Sequence, residues 1–227
     1  MNITNVFLPM RKGSERIKNK NTKTFSDVEG GLTTIKLSQL LSAKKVDRIF
    51  VSTDDESVRD IALSFDEKRI VIDERPEELA ASSTSTDDLI NYVPKIINEG
   101  AVLWTHVTSP FIDGEMYDKA ITDYFNNIGK FDSLMSVTKI QQFLWDSSGP
   151  VTYDPKKEKW PRTQTLQPLY EVNSGIFLCD IDMYSSNRNR IGDNPYLYIM
   201  DSKKSLDIDW QDDFDIAEIM WKKYGKI

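Results

Sequence analysis

Short apolar runs alternate with amphipathic stretches along the first 140 residues of the chain. Runs of strand-forming residues predict strands, and apolar spacings of three and four predict the helices between them. The predicted strands cover residues 5–8, 47–53, 69–72, 101–107 and 132–140, and the predicted helices cover residues 33–43, 54–65, 85–100 and 114–127. Such alternation is typical of a mostly parallel sheet with helices on both faces, so we expect a three-layer α/β/α fold.

This pattern stops between residues 141 and 172 and then resumes. Aromatic and leucine residues are interleaved there with prolines and polar residues, without a clear period: Trp145, Tyr153, Trp160, Leu166, Leu169 and Tyr170. Two strands, residues 174–181 and 196–200, and a closing helix, residues 212–225, follow. We interpret the chain as one domain, residues 1–227, with a small protruding subdomain at residues 141–172. A second subunit would cover its aromatic residues, so we expect a homodimer.

Composition limits the classes of partner. The formal net charge of -7 and the pI of about 4.9 disfavour a nucleic-acid partner, which would need a basic face. No stretch of eighteen apolar residues occurs, so we expect no membrane partner. The single cysteine, Cys179, allows no intrachain disulfide and most simply packs in the core. With no secretion signal at the N-terminus, these features favour a cytoplasmic protein.

A cationic segment follows the first predicted strand of this acidic chain. Residues 11–23 contain six Lys or Arg residues and one Glu. Ligands of parallel α/β sheets bind beyond the carboxyl ends of the strands, and clustered cations suit phosphates. The segment matches neither GxxxxGK[ST] nor GxGxxG, since Gly13 is its single glycine. By charge alone, a triphosphate-binding loop and a solvated basic loop are equally good interpretations.

Two aspartates near the end of the chain form a second candidate site. Asp207 and Asp209 are two residues apart, so an extended backbone would place both carboxylates on one face. Such a pair suits Mg²⁺. Taken alone, the residues favour capping of the closing helix instead. A triphosphate-binding loop elsewhere in the chain would make the metal site the better interpretation.

The cationic segment also resembles a known family signature. FLPMRKGSERIKNKN is similar to the Arg-x-Gly-Ser-Lys-x-x-x-x-Lys-Asn segment of the CMP-sialic acid synthetases, the acylneuraminate cytidylyltransferase family. Five residues match this pattern: Arg11, Gly13, Ser14, Lys20 and Asn21. Glu15 replaces the usual lysine, and Arg16 or Lys12 could supply the missing cation. Five later segments resemble the family in the same order: FVSTDDE, RPEELAASSTST, HVTSPF, YEVNSGIFLCD and SLDIDWQDDFDIAE.

The resemblance implies a Rossmann-like fold of the nucleotide-diphospho-sugar transferase type. It also implies transfer of CMP from CTP to the anomeric hydroxyl of a nine-carbon α-keto sugar acid, with release of pyrophosphate. Sialic, legionaminic and pseudaminic acids are the candidate acceptors. The alternatives are a related enzyme such as a CMP-keto-deoxyoctonate synthetase, and a non-catalytic nucleotide-binding protein of the same fold.

The same resemblance assigns roles to individual residues. Nucleotide binding is expected of Arg11, Gly13, Ser14, Lys20, Asn21, Arg75, Ser83 and Thr84. The catalytic residues would be Arg11, Lys20, Asp207 and Asp209, of which the two aspartates would hold Mg²⁺. Sugar binding is expected of His106, Thr108, Ser109, Arg162, Gln164, Tyr170, Glu171 and Asn173.

Several of these residues also have simpler interpretations. Arg75 is equally a surface arginine, and the lone His106 is more often structural than catalytic. Thr108 and Ser109 could merely form the turn before Pro110. The sugar-side residues of the subdomain could be a wet dimer rim. If Glu171 does contact the sugar, its charge suits an amino or acylamino substituent better than a carboxylate.

Overall fold

The computed structural model describes residues 2–225, so residue 1 and residues 226–227 of the predicted domain lie outside it. Its strands are β1 (Thr4–Met10), β2 (Arg48–Thr53), β3 (Ile70–Glu74), β4 (Ala101–Trp104), β5 (Ser133–Ile140), β6 (Trp145–Asp146), β7 (Gly149–Pro150), β8 (Leu169–Asp180) and β9 (Pro195–Met200). Its α-helices are α1 (Gly31–Ser42), α2 (Glu56–Ser64), α3 (Thr86–Ile96), α4 (Gly114–Asn127), α5 (Ile181–Ser186) and α6 (Gln211–Tyr224).

Seven of the strands form the central sheet in the order β3-β2-β1-β4-β8-β5-β9. β8 runs antiparallel to β4 and β5, and the remaining pairs are parallel. The expected mostly parallel sheet is therefore confirmed. The order places the ends of β1 and β4 side by side, although 90 residues of chain separate the two strands.

Helices cover both faces of this sheet, as expected for three layers. Alternate side chains of β1 enter different cores: Val6 and Leu8 pack on one face with residues of α1, α4 and α6, whereas Phe7 packs on the other with residues of α3 and α5. This alternation follows from the period of two along a strand. Because both faces of β1 are buried, its residues 6–10 are all apolar.

The helix predicted at residues 85–100 begins as expected, with Ser85 as its N-cap. The Ser85 hydroxyl accepts the Asp88 backbone N–H at 3.1 Å, and the Asp88 carboxylate accepts the Ser85 N–H at 3.1 Å, a reciprocal capping box at the start of α3. The end of this helix was predicted at residue 100, four residues beyond the observed end. α3 includes Pro94 but stops at Ile96, and Ile97 is buried in an extended conformation that leads into β4.

The predicted subdomain at residues 141–172 needs one correction. β8 already begins at Leu169, and Leu169–Val172 pair with Val137–Ile140 of β5. The last four residues of the predicted segment therefore extend the central sheet, which the sequence concealed because Tyr170, Glu171 and Val172 are all exposed. We call the remaining residues, 141–168, the arm.

The arm contains the short β6–β7 hairpin and an aromatic cluster. Phe143, Tyr153 and Trp160 pack with ring centroids 5.3 to 6.3 Å apart. Even so, Trp160 remains 71% exposed and Trp145 62% exposed. Within residues 2–225, no helix combines the length and the apolar character needed to cross a bilayer.

Candidate active site

A cleft of about 330 Å³ opens beyond the carboxyl ends of β1 and β4. It is lined by Pro9, Met10, Arg11, Ser14, Glu15, Arg16, Lys20, Asn21, Ser82, His106, Val107, Thr108 and Asp209. The lining joins the cationic segment, the turn after β4 and Asp209 near the chain end. This position agrees with the general rule for ligand sites of parallel sheets.

The cationic segment is an anchored loop. Ile17 is 2% exposed and Phe25 is fully buried, so both pin the segment to the core. The Asn21 side-chain amide donates to the Arg11 carbonyl at 3.2 Å, and the Asn21 carbonyl accepts the N–H and the hydroxyl of Thr33, each at 2.9 Å. These contacts tie the loop to the end of β1 and the start of α1, and they favour a binding loop over a solvated one.

Lys20 joins this loop to the two aspartates. Its ammonium donates at 2.8 Å to the carbonyl of Ile208, the residue between the two aspartates in the chain. The Ile208 N–H in turn donates to the Thr108 carbonyl at 2.9 Å. Burial lowers the pKa of Lys20, and the negative charges of Asp209 and Asp207 oppose that shift. The segment 207–209 is therefore held on one side by Lys20 and on the other by the turn after β4.

Asp207 carries an unsatisfied oxygen. Within residues 2–225, its buried Oδ1 has no hydrogen-bond partner. Burial raises the pKa of Asp207, and Asp209 adds to the shift, whereas Thr108 and Lys20 oppose it. A buried, unpaired carboxylate oxygen is costly unless a cation or a proton satisfies it.

The two aspartates suit Mg²⁺ in kind and number. Mg²⁺ commonly binds one or two carboxylates and takes its other oxygens from water and substrate phosphates. In the described part of the chain, His, Cys, Asp and Glu side chains form no cluster of three or more that could hold a metal ion unaided. Helix capping, the simpler interpretation of Asp209, falls to another residue: Asp213 accepts the N–H groups of Asp209 at 3.1 Å and Trp210 at 2.7 Å.

Arg16 forms an ion pair with one of the two aspartates. Its guanidinium lies 2.7 Å from Asp209 Oδ1 and 4.9 Å from the centroid of the Trp210 ring. Glu15 is exposed at the cleft lining. Both partners of the ion pair are about half exposed, so solvent screens it and it can exchange for another ligand. Arg16 did not match the family signature, and its contact with Asp209 appears only in the tertiary structure.

His106 lines the cleft as a neutral imidazole. Burial lowers its pKa to about 3, and the positive charges of Arg190, Lys36 and Lys20 add to the shift. The Trp104 indole N–H donates to His106 Nε2 at 3.0 Å. Since a neutral imidazole with an accepting Nε2 carries its proton on Nδ1, His106 offers the cleft a hydrogen-bond donor.

Lys36 supports the turn after β4 and was missed in the sequence. This fully buried residue of α1 donates to the Ser109 carbonyl and to the Tyr117 hydroxyl, both at 2.8 Å. Burial lowers its pKa to about 7, and the charges of Asp113 and Asp207 oppose the shift. The apolar neighbours Ile35 and Leu37 are only a weak indication that Lys36 is buried. A lysine between apolar residues of a helix usually faces solvent.

The match to known proteins agrees with this geometry. The family described as cytidylyltransferase matches residues 6–219. The chain belongs to the cytidylyltransferase family. An N-acylneuraminate cytidylyltransferase of Escherichia coli O18:K1:H7 is 28% identical over an alignment of 226 residues, with 96% of this chain and 52% of the relative covered. A pseudaminic acid cytidylyltransferase of Campylobacter jejuni (serotype O:2) is 21% identical, with 95% and 94% of the two chains covered.

Solved structures show the same fold at low sequence identity. A CMP:2-keto-3-deoxy-manno-octonic acid synthetase complexed with CTP superimposes with a TM-score of 0.67 and 13% identity, over 97% of this chain and 99% of that one. A 4-diphosphocytidyl-2C-methyl-D-erythritol synthase from Anaerococcus prevotii gives a TM-score of 0.63 and 16% identity, over 97% and 96%. The chain spans about half the length of the Escherichia coli and Streptococcus agalactiae relatives.

The expected nucleotide residues divide between the cleft and its surroundings. Arg75 is 7% exposed, and its guanidinium donates to the carbonyl and hydroxyl oxygens of Ser52 at 2.7 and 3.3 Å. It borders a neighbouring cleft at the ends of β2 and β3. Ser82 lines the main cleft, whereas Ser83 and Thr84 do not, and Gly13 lies just outside with a φ of +75°. A base-binding role of Arg75, Ser83 and Thr84 stays a prediction.

The expected sugar residues divide in the same way. His106 and Thr108 line the cleft. Ser109 is buried, and its carbonyl accepts a hydrogen bond from Lys36. Asn173 is a buried residue of β8 whose side-chain amide accepts the Ser136 hydroxyl and donates to the Thr138 hydroxyl, both on β5. The remaining four are exposed and do not line the cleft of the described chain: Arg162, Gln164, Tyr170 and Glu171. Their sugar-binding role stays a prediction.

Proposed function

We propose that the chain transfers CMP from CTP to the anomeric hydroxyl of a nine-carbon α-keto sugar acid and releases pyrophosphate. The observation that carries this proposal is the junction at Lys20, where the cationic loop meets the Asp207–Asp209 segment inside one cleft. The sugar oxygen would form a bond to the α-phosphorus while the bond from that phosphorus to the bridging oxygen breaks. Positioning and charge neutralisation dominate such a transfer.

The cationic loop would bind the triphosphate. Arg11, Ser14 and Lys20 present two cations and a hydroxyl to the cleft. Arg16 would add a third cation once it releases Asp209. These groups would offset the negative charge that builds on the departing pyrophosphate, and their anchored backbone would limit reorganisation during the reaction.

Asp207 and Asp209 would hold Mg²⁺, which supplies charge neutralisation at the phosphates when bound. The unpartnered Oδ1 of Asp207 supports this assignment. Lys20 would keep the 207–209 backbone in place through its bond to Ile208. His106 would act as a donor to the sugar acid and not as a general base, since its Nε2 lone pair already accepts the Trp104 N–H.

The acceptor would be a sugar acid of the sialic, legionaminic or pseudaminic type. The names of the Escherichia coli and Campylobacter jejuni relatives support this class. The likeness to the keto-deoxy-octonic acid synthetase supports a shared fold alone, because the identity is 13%. The eight-carbon acid and a non-catalytic nucleotide binder are therefore the alternatives that the assay below separates.

The arm would bring two copies of the chain together. Exposed apolar side chains lie on it and on the adjoining end of β8: Trp145, Val151, Trp160, Tyr170 and Val172. In a single copy, Arg162, Gln164 and Glu171 are exposed and do not line the cleft. A homodimer that buries this surface would carry them towards the cleft of the partner. The cytoplasmic location stays a prediction.

The decisive experiment is pyrophosphate release by the purified protein with CTP, Mg²⁺ and a panel of sugar acids. We expect release with at least one nine-carbon acid, none without acceptor, and a strong preference for CTP over UTP. Turnover of the eight-carbon acid alone would favour that alternative. Nucleotide binding without release for any acid would favour the non-catalytic one.

A further inference from the structure

Arg190 has an unusual environment next to Trp104, the last residue of β4. It precedes β9, and its guanidinium lies 3.8 Å from the centroid of the Phe177 ring and 4.9 Å from that of Trp104. Phe177 and Trp104 are directly paired residues of the adjacent strands β8 and β4, so the Arg190 side chain lies across both strands. Both rings belong to the buried core on the α3 and α5 face. Stacking on aromatic rings leaves the in-plane N–H groups of a guanidinium directed outward.

This cation has no anionic partner. Within residues 2–225, no carboxylate forms an ion pair with Arg190, and no acceptor takes a hydrogen bond from its guanidinium. Burial lowers the pKa of Arg190, an effect that Tyr184 and Asp87 oppose. No guanidinium nitrogen of Arg190 is among the described side-chain atoms that are fully buried and lack a hydrogen-bond partner. These nitrogens are therefore accessible to solvent. A half-buried guanidinium that is unpaired yet accessible is suited to an anionic ligand.

The position of Arg190 relative to His106 indicates where that anion would lie. The Trp104 ring beneath Arg190 is the same ring whose N–H is donated to His106, with the two ring centroids 6.1 Å apart. Among the charged groups that lower the pKa of His106, Arg190 comes ahead of Lys36 and Lys20, although burial is the largest cause. His106 lines the cleft and retains a proton on Nδ1. Arg190 and His106 therefore contact the same Trp104 side chain, Arg190 by stacking on its ring and His106 by accepting its N–H.

We propose that Arg190 and His106 form the subsite that binds the carboxylate of the acceptor sugar acid. This inference rests on the proposed function, because every candidate acceptor carries a carboxylate beside its anomeric carbon. A planar guanidinium can hold a carboxylate through two parallel hydrogen bonds, and the neutral imidazole adds a third donor. The residue pair would select acids over neutral sugars and orient the anomeric hydroxyl towards the phosphates at the opposite side of the cleft.

The experiment uses the lone histidine as a reporter. The protein contains one His, so ¹⁵N-histidine labelling gives a single imidazole whose resonances report on this subsite. N-acetylneuraminic, legionaminic and pseudaminic acids are titrated into the wild type, Arg190→Gln, Arg190→Lys and the control Arg188→Gln, each in parallel with its methyl ester. Arg188 is exposed and lies two residues away. Thermal unfolding of each variant reports separately on folding.

We expect at least one acid, but no ester, to shift the His106 Nδ1 resonance in the wild type and in Arg188→Gln. Arg190→Gln should abolish that shift, and Arg190→Lys should retain part of it. In turnover, Arg190→Gln should raise the KM for the acid by at least about tenfold and leave the KM for CTP unchanged, because a charge-assisted pair is lost at the acceptor alone.

The opposite results would overturn the subsite. These are equal shifts with acid and ester, an unchanged acid shift in folded Arg190→Gln, no shift with any acid, or a rise in the KM for CTP alone, which would place a phosphate on Arg190. If Arg190→Gln does not fold, Arg190→Lys carries the same comparison. Pyrophosphate release by the wild type is scored separately, so the proposed reaction can fail while acid-specific binding at His106 is still observed.

Discussion

The cationic loop and the arm are both irregular segments rich in charged residues, yet they differ in what holds them. The loop is fixed by the chain itself, through buried Ile17 and Phe25 and through the bond from Lys20 to Ile208. The arm keeps Trp145 and Trp160 more than 60% exposed. A segment whose polar groups converge on an internal cleft is suited to binding small ligands, whereas exposed aromatic residues are suited to a macromolecular partner.

The largest expected effect is at the aspartates that the loop holds. Asp209→Asn should reduce turnover by at least about a hundredfold, the size typical of losing a key electrostatic contact at developing charge. The measurement is steady-state pyrophosphate release. Asp212→Asn, an exposed change in the first turn of α6, is the control and should stay near wild type. Near-normal turnover of a folded Asp209→Asn protein would remove Asp209 from the mechanism.

Lys20→Ala tests the junction between the loop and the 207–209 segment. We expect a loss of kcat/KM of about thirtyfold or more, because the variant loses a cation at the triphosphate and the anchor of Ile208. The ratio of CTP to UTP turnover should not change, since Lys20 lies at the phosphate side. A shifted base preference would contradict this assignment. Lys18→Ala, an exposed lysine of the same loop, is the matched control.

Lys36→Met tests whether the buried lysine that bonds the turn after β4 has a lowered pKa. Its folded pKa of about 7 lies below its ordinary value of 10.5, so the unfolded chain binds more protons between these pH values. The free energy of unfolding of the wild type should therefore rise by about 5 kcal/mol because of this group as pH increases from below 7 to above 10.5. Lys36→Met should lack that rise in urea unfolding followed at several pH values. Parallel pH profiles of the two proteins would exclude the shift.

Trp160→Ser tests the arm. If a second copy covers the aromatic cluster, the variant should weaken dimerisation at least about tenfold, as expected for a buried aromatic anchor. Light scattering coupled to size-exclusion chromatography over a concentration series measures the change. The unfolding free energy extrapolated for a single copy should change little, since Trp160 is 71% exposed there. A monomeric wild type at all concentrations would count against the dimer.

The smallest expected effect is at Glu15 in the loop. Glu15→Lys would replace a carboxylate at the cleft lining with the cation typical of the family. We expect a lower KM for CTP by about threefold, and the gain should shrink as salt is raised, because exposed charges are screened. Lys12→Glu, at the exposed loop end, provides a comparison of opposite sign. A higher KM for CTP in Glu15→Lys would indicate that Arg16 already fills the role.

Much of the fold and part of the site followed from local sequence. Apolar periodicity predicted the strand and helix alternation, including a helix that begins at residue 85. The charge of the segment beyond β1 left a phosphate-binding loop and a solvated loop equally open, and the resemblance of Arg11, Ser14, Lys20 and Asn21 to the family signature implied the former. These features depend on neighbouring residues or on the position of a segment at a strand end, so the linear chain contains the necessary information.

Contacts between distant segments required the tertiary structure. Lys20 meets Ile208 across 188 residues because β1 and β4 are adjacent in the sheet, which periodicity does not encode. Asp213 instead of Asp209 caps the last helix, and Lys36 points into the core although lysine usually faces solvent. Arg190 stacks on Phe177 and Trp104 for the same reason. Residue type and spacing therefore determined the elements and the chemistry they carry, whereas strand order and burial decided which charges meet and which remain unpaired.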